Sequence, residues 1–459
     1  MLPQPAADCA YLGDALHAPV HGAVELLADA LISVGADGTI SAIQPNASRE
    51  ARAAIERLEA RGALFRAQAG QYLLPGMVDL HVHAPQWPQL GKALDLPLEE
   101  WLQAYTFPLE ARYADESFAQ SEYESLVDGL LANGTTTALY FGTIHLPATQ
   151  RLADICLRRA QRALIGRVAM DNPEQCPDSY RDASAASAAA QTRAFIDYVR
   201  SLPGNGAGLV KPVITPRFIP SCTDELLRSL GALAHESGCH VQTHCSESDW
   251  EHQYVLERYG ITDTAALDRL GLLGRHTVLA HGNFLSDPDL AIIGARGAGV
   301  AHCPLSNVYF SDAILPLRHL LAQGIHVGLG TDIAGGASPS ILENARHAVI
   351  ASRYLEAGVD PAQSRAERRR PDSRIDALTA FWVATAGGGI ALDLPVGVFR
   401  EGFQFDALLI EGGSARGNLR LQPGDSPADL VQKIIYHAGR SNIREVWVAN
   451  RRVHSLASG

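Results

Sequence analysis

The alternation of apolar and polar positions changes character twice along the chain, near residues 72 and 393. In residues 1–72, the stretch AVELLADALISVGADGTISAIQP predicts two alternating strands around a Gly-Ala-Asp-Gly turn. In residues 73–392, short apolar runs alternate with longer segments of helical spacing, such as SFAQSEYESLVDGLLANG and TDELLRSLGALAHESG. This repeated order of strand and helix predicts a parallel sheet with helical crossovers.

Strand-like patterns return in residues 393–459, in FDALLIEGG and IREVWVANRRVHS. Matching β-rich segments at the two ends of the chain predict one composite β-sandwich, because pairing them removes exposed sheet edges. The expected fold class is therefore α/β. It combines a (β/α)8 TIM-like barrel over residues 73–392 with a small β-sandwich domain built from residues 1–72 and 393–459.

Residues of metal-binding types end several of the short apolar runs. In PGMVDLHVH, His81 and His83 are two positions apart, so the alternation of a strand directs both side chains to one face. HVQTH ends at His244, TVLAH at His281 and HVGLGTD at Asp332. The gaps of 37 residues from His244 to His281 and 51 from His281 to Asp332 match strands five, six and eight of a barrel. Because barrel enzymes build their sites at the carboxyl ends of strands, we expect these residues to converge.

Imidazole nitrogens with one carboxylate oxygen suit a borderline-soft divalent ion, and zinc is the first choice. We expect one zinc per chain with one coordination position left for water, the ligands being His81, His83, His244 and Asp332. A zinc ion bound in this way lowers the pKa of its water toward about 7. His281 could be a further ligand or a hydrogen-bond partner of the activated water, and we favour the second role.

Two carboxyl groups beside the expected metal site could carry protons. Glu247 lies three residues after His244 in HCSES, where it can move a proton without binding the ion. Asp332 can both bind the ion and accept a proton from water. The pattern is typical of a metallohydrolase whose catalytic residues are Glu247, His281 and Asp332.

The composition is that of an ordinary globular protein, with 47% hydrophobic and 19% charged residues. The formal net charge of −12 argues against nucleic acid or an anionic membrane as the main partner. The chain has no run of about 18 uncharged apolar residues, and its first residues carry no basic segment before an apolar core. Seven scattered cysteines without a CxxC pair fit a reducing compartment. We therefore expect a cytoplasmic protein.

Several longer motifs, taken together, resemble one enzyme family. The chain contains, in this order between residues 73 and 350, PGMVDLHVHAPQWPQLG, WLQAYTFPLEARY, NGTTTALYFGT, VKPVITPRF, HVQTHCSE, VLAHGNFLS, AHCPLSN and GLGTDIAGG. These motifs resemble guanine deaminases of the amidohydrolase superfamily. The HxH…His…His…Asp frame specifies only the superfamily, whereas HAPQ, TFPLE and TPRF carry the substrate assignment. The resemblance implies that a zinc-activated water deaminates guanine to xanthine and ammonia, and that the enzyme is a homodimer acting on a small-molecule substrate.

The resemblance also implies which residues form the substrate site. Gln86, Arg217 and Phe218 would hold the purine. The chemistry agrees, because an amide and a guanidinium offer directed hydrogen bonds and a phenyl ring offers a flat face for stacking. The full expected substrate-binding set is His83, Ala84, Pro85, Gln86, Arg217, Phe218, His244, Glu247 and Asp332.

Three alternatives stay open at this point. The first is a deaminase of 8-oxoguanine or of an aminotriazine, and the second is a two-metal cyclic amidase in which Lys211 of VKPVI is carboxylated. The third is a non-catalytic binding scaffold that keeps the barrel. The TPRF motif after Lys211 favours the one-metal interpretation, and the complete set of ligand-type residues argues against an inactive scaffold.

Overall fold

The computed structural model describes residues 8–413 and 417–456, which form two eight-stranded sheets with helices packed around them. In chain order the strands are β1 (Cys9–His17), β2 (Glu25–Val34), β3 (Ile40–Pro45), β4 (Leu64–Arg66), β5 (Gln71–Pro75), β6 (Met77–His83), β7 (Thr135–Phe141), β8 (Arg162–Ala169), β9 (Val210–Pro216), β10 (His240–Cys245), β11 (Thr277–His281), β12 (Gly299–His302), β13 (His326–Leu329), β14 (Ala407–Glu411), β15 (Ile443–Val448) and β16 (Arg451–Ser455). The α-helices are α1 (Arg49–Ala60), α2 (Leu98–Trp101), α3 (Phe107–Ala111), α4 (Glu116–Ala132), α5 (Leu146–Arg159), α6 (Ala185–Ser201), α7 (Asp224–Ser237), α8 (Asp249–Tyr259), α9 (Asp263–Arg269), α10 (Asp287–Arg296), α11 (Pro304–Phe310), α12 (Leu317–Ala322), α13 (Ile341–Ala357), α14 (Arg365–Arg368), α15 (Ala377–Ala384), α16 (Ala386–Ala391) and α17 (Pro427–His437). Within the described residues, none of these helices combines the length and the hydropathy that a membrane span requires.

Local sequence sets the limits of the crossover helices, as α10 illustrates. The hydroxyl of Ser286 accepts from the backbone N–H of Asp289, and the carboxylate of Asp289 accepts from the N–H of Ser286, which closes a capping box. Gly297 ends the helix with a φ of 69°, a left-handed conformation that glycine adopts at little cost. The chain can then turn directly into β12.

Strands β6 to β13 pair in sequence order, each parallel to the next, and form a barrel. The segment after β13 returns to β6. The backbone N–H of Asp332 donates to the carbonyl of His81 (2.8 Å), and the N–H of His83 donates to the carbonyl of Ile333 (3.0 Å). These bonds nearly close the barrel at its carboxyl end. The predicted α/β barrel is confirmed.

Both ends of the chain contribute to the second sheet, whose strand order is β16-β15-β14-β5-β1-β2-β3, with β4 also paired to β1. Neighbouring strands are antiparallel, except that β1 runs parallel to β4 and β5. An aromatic cluster packs against this sheet, in which the ring centroid of Tyr11 lies 4.0 Å from that of Phe405 and 5.1 Å from that of Trp447. The predicted composite β domain is confirmed. Because β14 pairs directly with β5, the strands from the two ends of the chain form one continuous sheet.

The two sheets meet at Gly76, which alone separates β5 from β6. Its N–H donates to the carbonyl oxygen of Asp406 (2.8 Å). A Cβ atom on Gly76 would lie 2.0 Å from Oγ1 of Thr136, so only glycine lets the chain pass this close to β7. Strand β5 continues to Pro75, so the terminal sheet extends beyond the boundary expected after residue 72.

The C-terminal segment also contributes a helix to the barrel layer. Leu430 and Ile434 of α17 belong to the same buried apolar cluster as Ala345 of α13 and Ala380 of α15. Burial of such side chains stabilises the contact by roughly 25 cal/mol per Å² of apolar surface. The segment therefore joins the two parts of the fold and is not confined to the terminal sheet.

A buried ion pair also links the two sheets. The guanidinium of Arg162, at the start of β8, donates to both carboxylate oxygens of Asp406 (Nε–Oδ2 2.8 Å, Nη2–Oδ1 3.1 Å). The N–H of Ala449 donates to the same carboxylate (2.8 Å). Because Asp406 is 1% exposed, loss of its charge would leave Arg162 buried without a counter-charge.

Replacing Asp406 with alanine should therefore destabilise the protein far more than a similar change at the surface. We expect a loss of about 3–5 kcal/mol in the free energy of unfolding, because one partner of a buried ion pair is removed. Glu236→Ala is the matched control, since it breaks an exposed bidentate pair with Arg193 and should have little effect. Urea unfolding curves measure the difference. Equal shifts for the two variants would contradict a stabilising role for the pair.

Candidate active site

The five residues predicted from the strand ends lie together at the carboxyl end of the barrel, and all of them are buried. His81 and His83 lie at the carboxyl end of β6, His244 is on β10, His281 ends β11, and Asp332 follows β13. His281 and Asp332 have positive φ angles of 72° and 49°, a conformation that non-glycine residues adopt mostly where the surrounding structure imposes it. The parallel topology thus gathers side chains from four strands.

The ligand atoms of this cluster converge closely. Nε2 of His83 lies 3.0 Å from Nε2 of His244. Oδ1 of Asp332 lies 3.1 Å from Nε2 of His81 and 3.5 Å from Nε2 of His83. In three overlapping groups the ligand atoms all lie within 4.8 Å of one another, as one shared ion requires. The groups are His81, His83 and Asp332; His81, His244 and His281; and Glu247, His281 and Asp332.

The electrostatic state of the cluster fits a divalent cation. Burial lowers the pKa of His81, His83 and His244 well below the ordinary histidine value, so these imidazoles are neutral, which is the form that binds metals. The buried Nε2 atoms of His81 and His281 make no hydrogen bond with any described residue. Buried polar atoms without partners are rare in native structures, and a bound ion would give both atoms one.

The orientation of two rings is fixed through their other nitrogen. Nδ1 of His244 donates to the carbonyl of Arg217 (2.6 Å), and Nδ1 of His281 donates to Oδ1 of Asn307 (2.9 Å). Since Nδ1 carries the proton in both rings, Nε2 is the basic nitrogen that faces the cluster.

Asp79 holds the two edges of the site together. Its buried carboxylate accepts from the N–H of Thr331 (2.9 Å), from the hydroxyl of Thr331 (2.6 Å) and from the N–H of His81 (3.2 Å). Thr331 directly precedes Asp332, so these bonds fix Asp332 beside the histidines of β6. Sequence reasoning missed Asp79, although its place two residues before His81 in DLHVH was an available signal.

Glu247 lies at the edge of the cluster. Its Oε1 is 3.5 Å from Nε2 of His281, and that nitrogen is 3.9 Å from Oδ2 of Asp332, so His281 lies between two acidic groups. Burial, together with the charge of Asp332, raises the pKa of Glu247 to about 8. Near neutral pH the carboxyl group of Glu247 can therefore give up a proton and take it back.

A pocket opens beside the cluster. Its lining residues are His83, Gln86, Leu98, Trp101, Leu102, Arg217, Phe218, His244, Glu247, Phe310, Asp332 and Gly335. Seven of the nine residues expected in the substrate site line it. The other two, Ala84 and Pro85, are buried in the short helical turn that carries Gln86. Sequence reasoning did not single out the apolar side of the pocket, to which Trp101 and Phe310 belong.

Glu110 is a further residue of the site that the sequence did not single out. It is fully buried on α3 and accepts from Nε2 of Gln86 (2.8 Å). It also forms a bidentate pair with Arg217 (Nη1–Oε2 2.7 Å, Nη2–Oε1 3.2 Å). The available signal was a charged residue inside the apolar TFPLE motif.

Lys211 lies at the wrong end of its strand to bridge two metal ions. It is the second residue of β9, whereas the cluster lies at the carboxyl ends of the barrel strands. Its neighbour is His240, the first residue of β10, whose pKa is lowered to about 4 by burial and further by the charges of His276 and Lys211. This position favours the one-metal interpretation.

Comparisons with known proteins agree with this geometry. The Amidohydrolase family matches the chain over residues 72–453. A guanine deaminase of Dictyostelium discoideum is 34% identical over 459 residues, which cover 96% of this chain and 97% of that protein. The crystal structure of guanine deaminase from C. acetobutylicum with bound guanine has a TM-score of 0.86 and 28% identity, and the match covers 97% of this chain and 100% of that chain. An adenosine deaminase from Xanthomonas campestris with bound zinc has a TM-score of 0.79 and 26% identity, with 98% and 93% covered.

Replacing Asp79 with asparagine should weaken metal binding while the barrel stays folded. The amide keeps the size of the side chain but cannot accept all three bonds, so Asp332 loses its support. Changes to such supporting residues typically cost about 10–100-fold in metal affinity. Competition for Zn²⁺ with a chromophoric chelator measures the metal affinity of each variant. Thr137→Val is the control, because the buried Thr137 hydroxyl on β7 has no hydrogen bond among the described residues. An Asp79→Asn variant with wild-type affinity would contradict the supporting role.

Proposed function

The chain belongs to the amidohydrolase family, and we propose that it is a guanine deaminase, which hydrolyses guanine to xanthine and ammonia. One observation carries the proposal: a cluster of buried neutral imidazoles with Asp332 adjoins a pocket in which Gln86 and Arg217 can hydrogen-bond a purine. The full-length similarity to guanine deaminases supports the same substrate.

We propose that the cluster holds one zinc ion per chain, with His81, His83, His244 and Asp332 as ligands. Three imidazoles and one carboxylate form a donor set that zinc prefers. The bound zinc in the structurally similar adenosine deaminase supports the choice of ion. When bound, the ion would supply an activated water molecule and would stabilise the negative charge on the attacking oxygen.

The pocket has one group that can stack on the flat face of guanine and two that can hydrogen-bond its edge. The ring centroid of Phe218 lies 6.1 Å from that of His244, which places a flat apolar surface beside the cluster. Gln86 and Arg217 have more N–H donors than Glu110 uses. The remaining donors can serve the 6-oxo and N7 acceptors of the base.

Two residues would move the protons of the reaction. Asp332 accepts a proton from the attacking water. Glu247 donates its proton to ring nitrogen N3, next to the carbon that is attacked, and regains a proton from the hydroxyl group on that carbon as the 2-oxo group forms. Asp332 passes the proton that it took from water to the leaving amino group. Ammonia departs and the 2-oxo group of xanthine remains. His281, between the two carboxyl groups, hydrogen-bonds the attacking oxygen.

We also propose that the enzyme is a homodimer, as the resemblance implies, and that it acts in the cytoplasm. All seven cysteines are free thiols, which fits a reducing compartment. Light scattering on the purified protein tests the dimer, and a fluorescent fusion tests the location.

Release of ammonia from a panel of substrates tests the proposed activity. Guanine should be the preferred substrate over 8-oxoguanine, adenine and ammeline, because the pocket presents donors to the O6 and N7 acceptors of guanine. 8-Oxoguanine carries a hydrogen on N7, adenine carries an amino group at C6, and ammeline has no imidazole ring. Coupled detection of ammonia gives kcat/KM for each compound. A preference for ammeline would instead support the aminotriazine deaminase, and inactivity on every compound would support a scaffold.

Replacing Glu247 with glutamine should remove most turnover while zinc and guanine still bind. The change removes a proton carrier but leaves the four proposed ligands intact, and such groups contribute typically about 10²–10⁴-fold to the rate. Metal analysis and steady-state kinetics on the same sample measure both effects. Asp249→Asn is the matched control, since Asp249 is an exposed carboxylate two residues away and should keep full activity. If Glu247→Gln lost its zinc, Glu247 would be a ligand and the assigned role would be wrong.

A further inference from the structure

The carboxylate of Glu110 joins two pocket residues into one hydrogen-bonded array. Its Oε1 accepts from Nε2 of Gln86 (2.8 Å) and from Nη2 of Arg217 (3.2 Å), and its Oε2 accepts from Nη1 of Arg217 (2.7 Å). The side chains of Glu110 and Arg217 are 0% and 3% exposed. Because charge-assisted bonds of this kind are strong in a dry environment, the three side chains form a rigid unit.

The array allows only one orientation of the Gln86 amide. Its Oε1 accepts from the backbone N–H of Ala334 (3.1 Å), and its Nε2 donates to Glu110. A 180° turn of the amide would place its oxygen against the Glu110 carboxylate and its NH2 group against the N–H of Ala334. Both bonds would be lost together, so the amide cannot turn.

The same carboxylate positions the guanidinium of Arg217. Two of its five N–H groups are taken by Glu110, and the guanidinium carbon lies 5.1 Å from the ring centroid of Phe107. The ring centroid of Tyr180 lies 6.0 Å from that of Phe107, and burial and then the charge of Glu110 raise the pKa of the Tyr180 hydroxyl. The guanidinium is therefore fixed in place, and its unused N–H groups are donors only.

We infer that Glu110 is a positioning residue that sets the substrate specificity of the pocket by fixing Gln86 and Arg217 as hydrogen-bond donors toward a 6-oxo purine. Guanine presents acceptors at O6 and N7, whereas a 6-amino purine presents a donor at C6. A glutamine amide that is free to turn can bind either kind of purine. Its NH2 group can donate to an oxo group, and after a 180° turn its oxygen can accept from an amino group. By holding the amide with its NH2 group toward the base, Glu110 excludes a 6-amino purine. The inference rests on the proposed deamination of guanine.

The test compares guanine with 2,6-diaminopurine, which carries an amino group at C6 in place of the oxo group and therefore has no hydrogen on N1. In Glu110→Gln, one carboxylate oxygen becomes an NH2 group, which must face an N–H donor of Arg217 or Gln86, so the array loosens and Gln86 gains freedom to turn. We expect the ratio of kcat/KM for guanine to that for 2,6-diaminopurine to fall by about tenfold to 100-fold. The loss on guanine should fall mainly on KM, since the proton carriers are untouched. Chromatography of the 2-oxo products gives both rates.

Asp182→Asn is the matched control. Asp182 forms another bidentate pair with a buried arginine, Arg167, and both side chains are 1% exposed. Neither residue lines the substrate pocket. Both variants should lower the thermal unfolding midpoint, but the substrate ratio of Asp182→Asn should equal that of the wild type.

Glu110→Asp provides a second variant that keeps the charge if Glu110→Gln fails to fold. The shorter side chain can pair with Arg217 but cannot also reach Gln86, so the substrate ratio should again fall. An unchanged ratio in the folded variants, with losses equal on the two substrates, would overturn the inference and leave Glu110 a structural residue. A wild-type enzyme that makes no xanthine from guanine would instead overturn the proposed function, and the specificity role with it.

Discussion

The site depends on one electrostatic constraint: neutral imidazoles and a carboxylate are held out of water with their basic atoms almost in contact. The facing nitrogens of His83 and His244 are 3.0 Å apart, and Asp332 is next to them. Burial removes water as a partner for these atoms, and polar groups buried without partners cost free energy. A divalent cation at the centre would offset this cost. The closure of the barrel through β6 and the segment after β13 brings these groups to one place.

One residue couples the metal-binding cluster to the substrate pocket. The backbone carbonyl of Arg217 accepts from Nδ1 of His244, while its side chain pairs with Glu110. The strand end that orients a proposed metal ligand therefore also carries a proposed substrate-binding group. On the other side, Asp79 and Thr331 fix Asp332 against β6. Because every member of this network is buried, small displacements at one point change the geometry of both parts.

The barrel and the cluster could be predicted because their signals are local in sequence. The spacing of His81 and His83 follows the period of a strand, and His244, His281 and Asp332 end their own apolar runs. Glu110 could not be predicted in the same way, since its partner Arg217 is 107 positions away and the contact exists only in the folded barrel. Asp79 depends on a residue 252 positions away. The aromatic cluster of Tyr11, Phe405 and Trp447 likewise joins residues from both ends of the chain, which alternation patterns do not encode.

We propose that this cluster is built around one ion next to a purine. The decisive measurement is anomalous diffraction at the zinc edge, from crystals of the protein grown with zinc and xanthine. One anomalous peak per chain is expected within bonding distance, roughly 2.0–2.2 Å, of Nε2 of His81, His83 and His244 and of a carboxylate oxygen of Asp332. The purine is expected to lie against Phe218. Two peaks per chain, or a single peak away from these residues, would contradict the proposal.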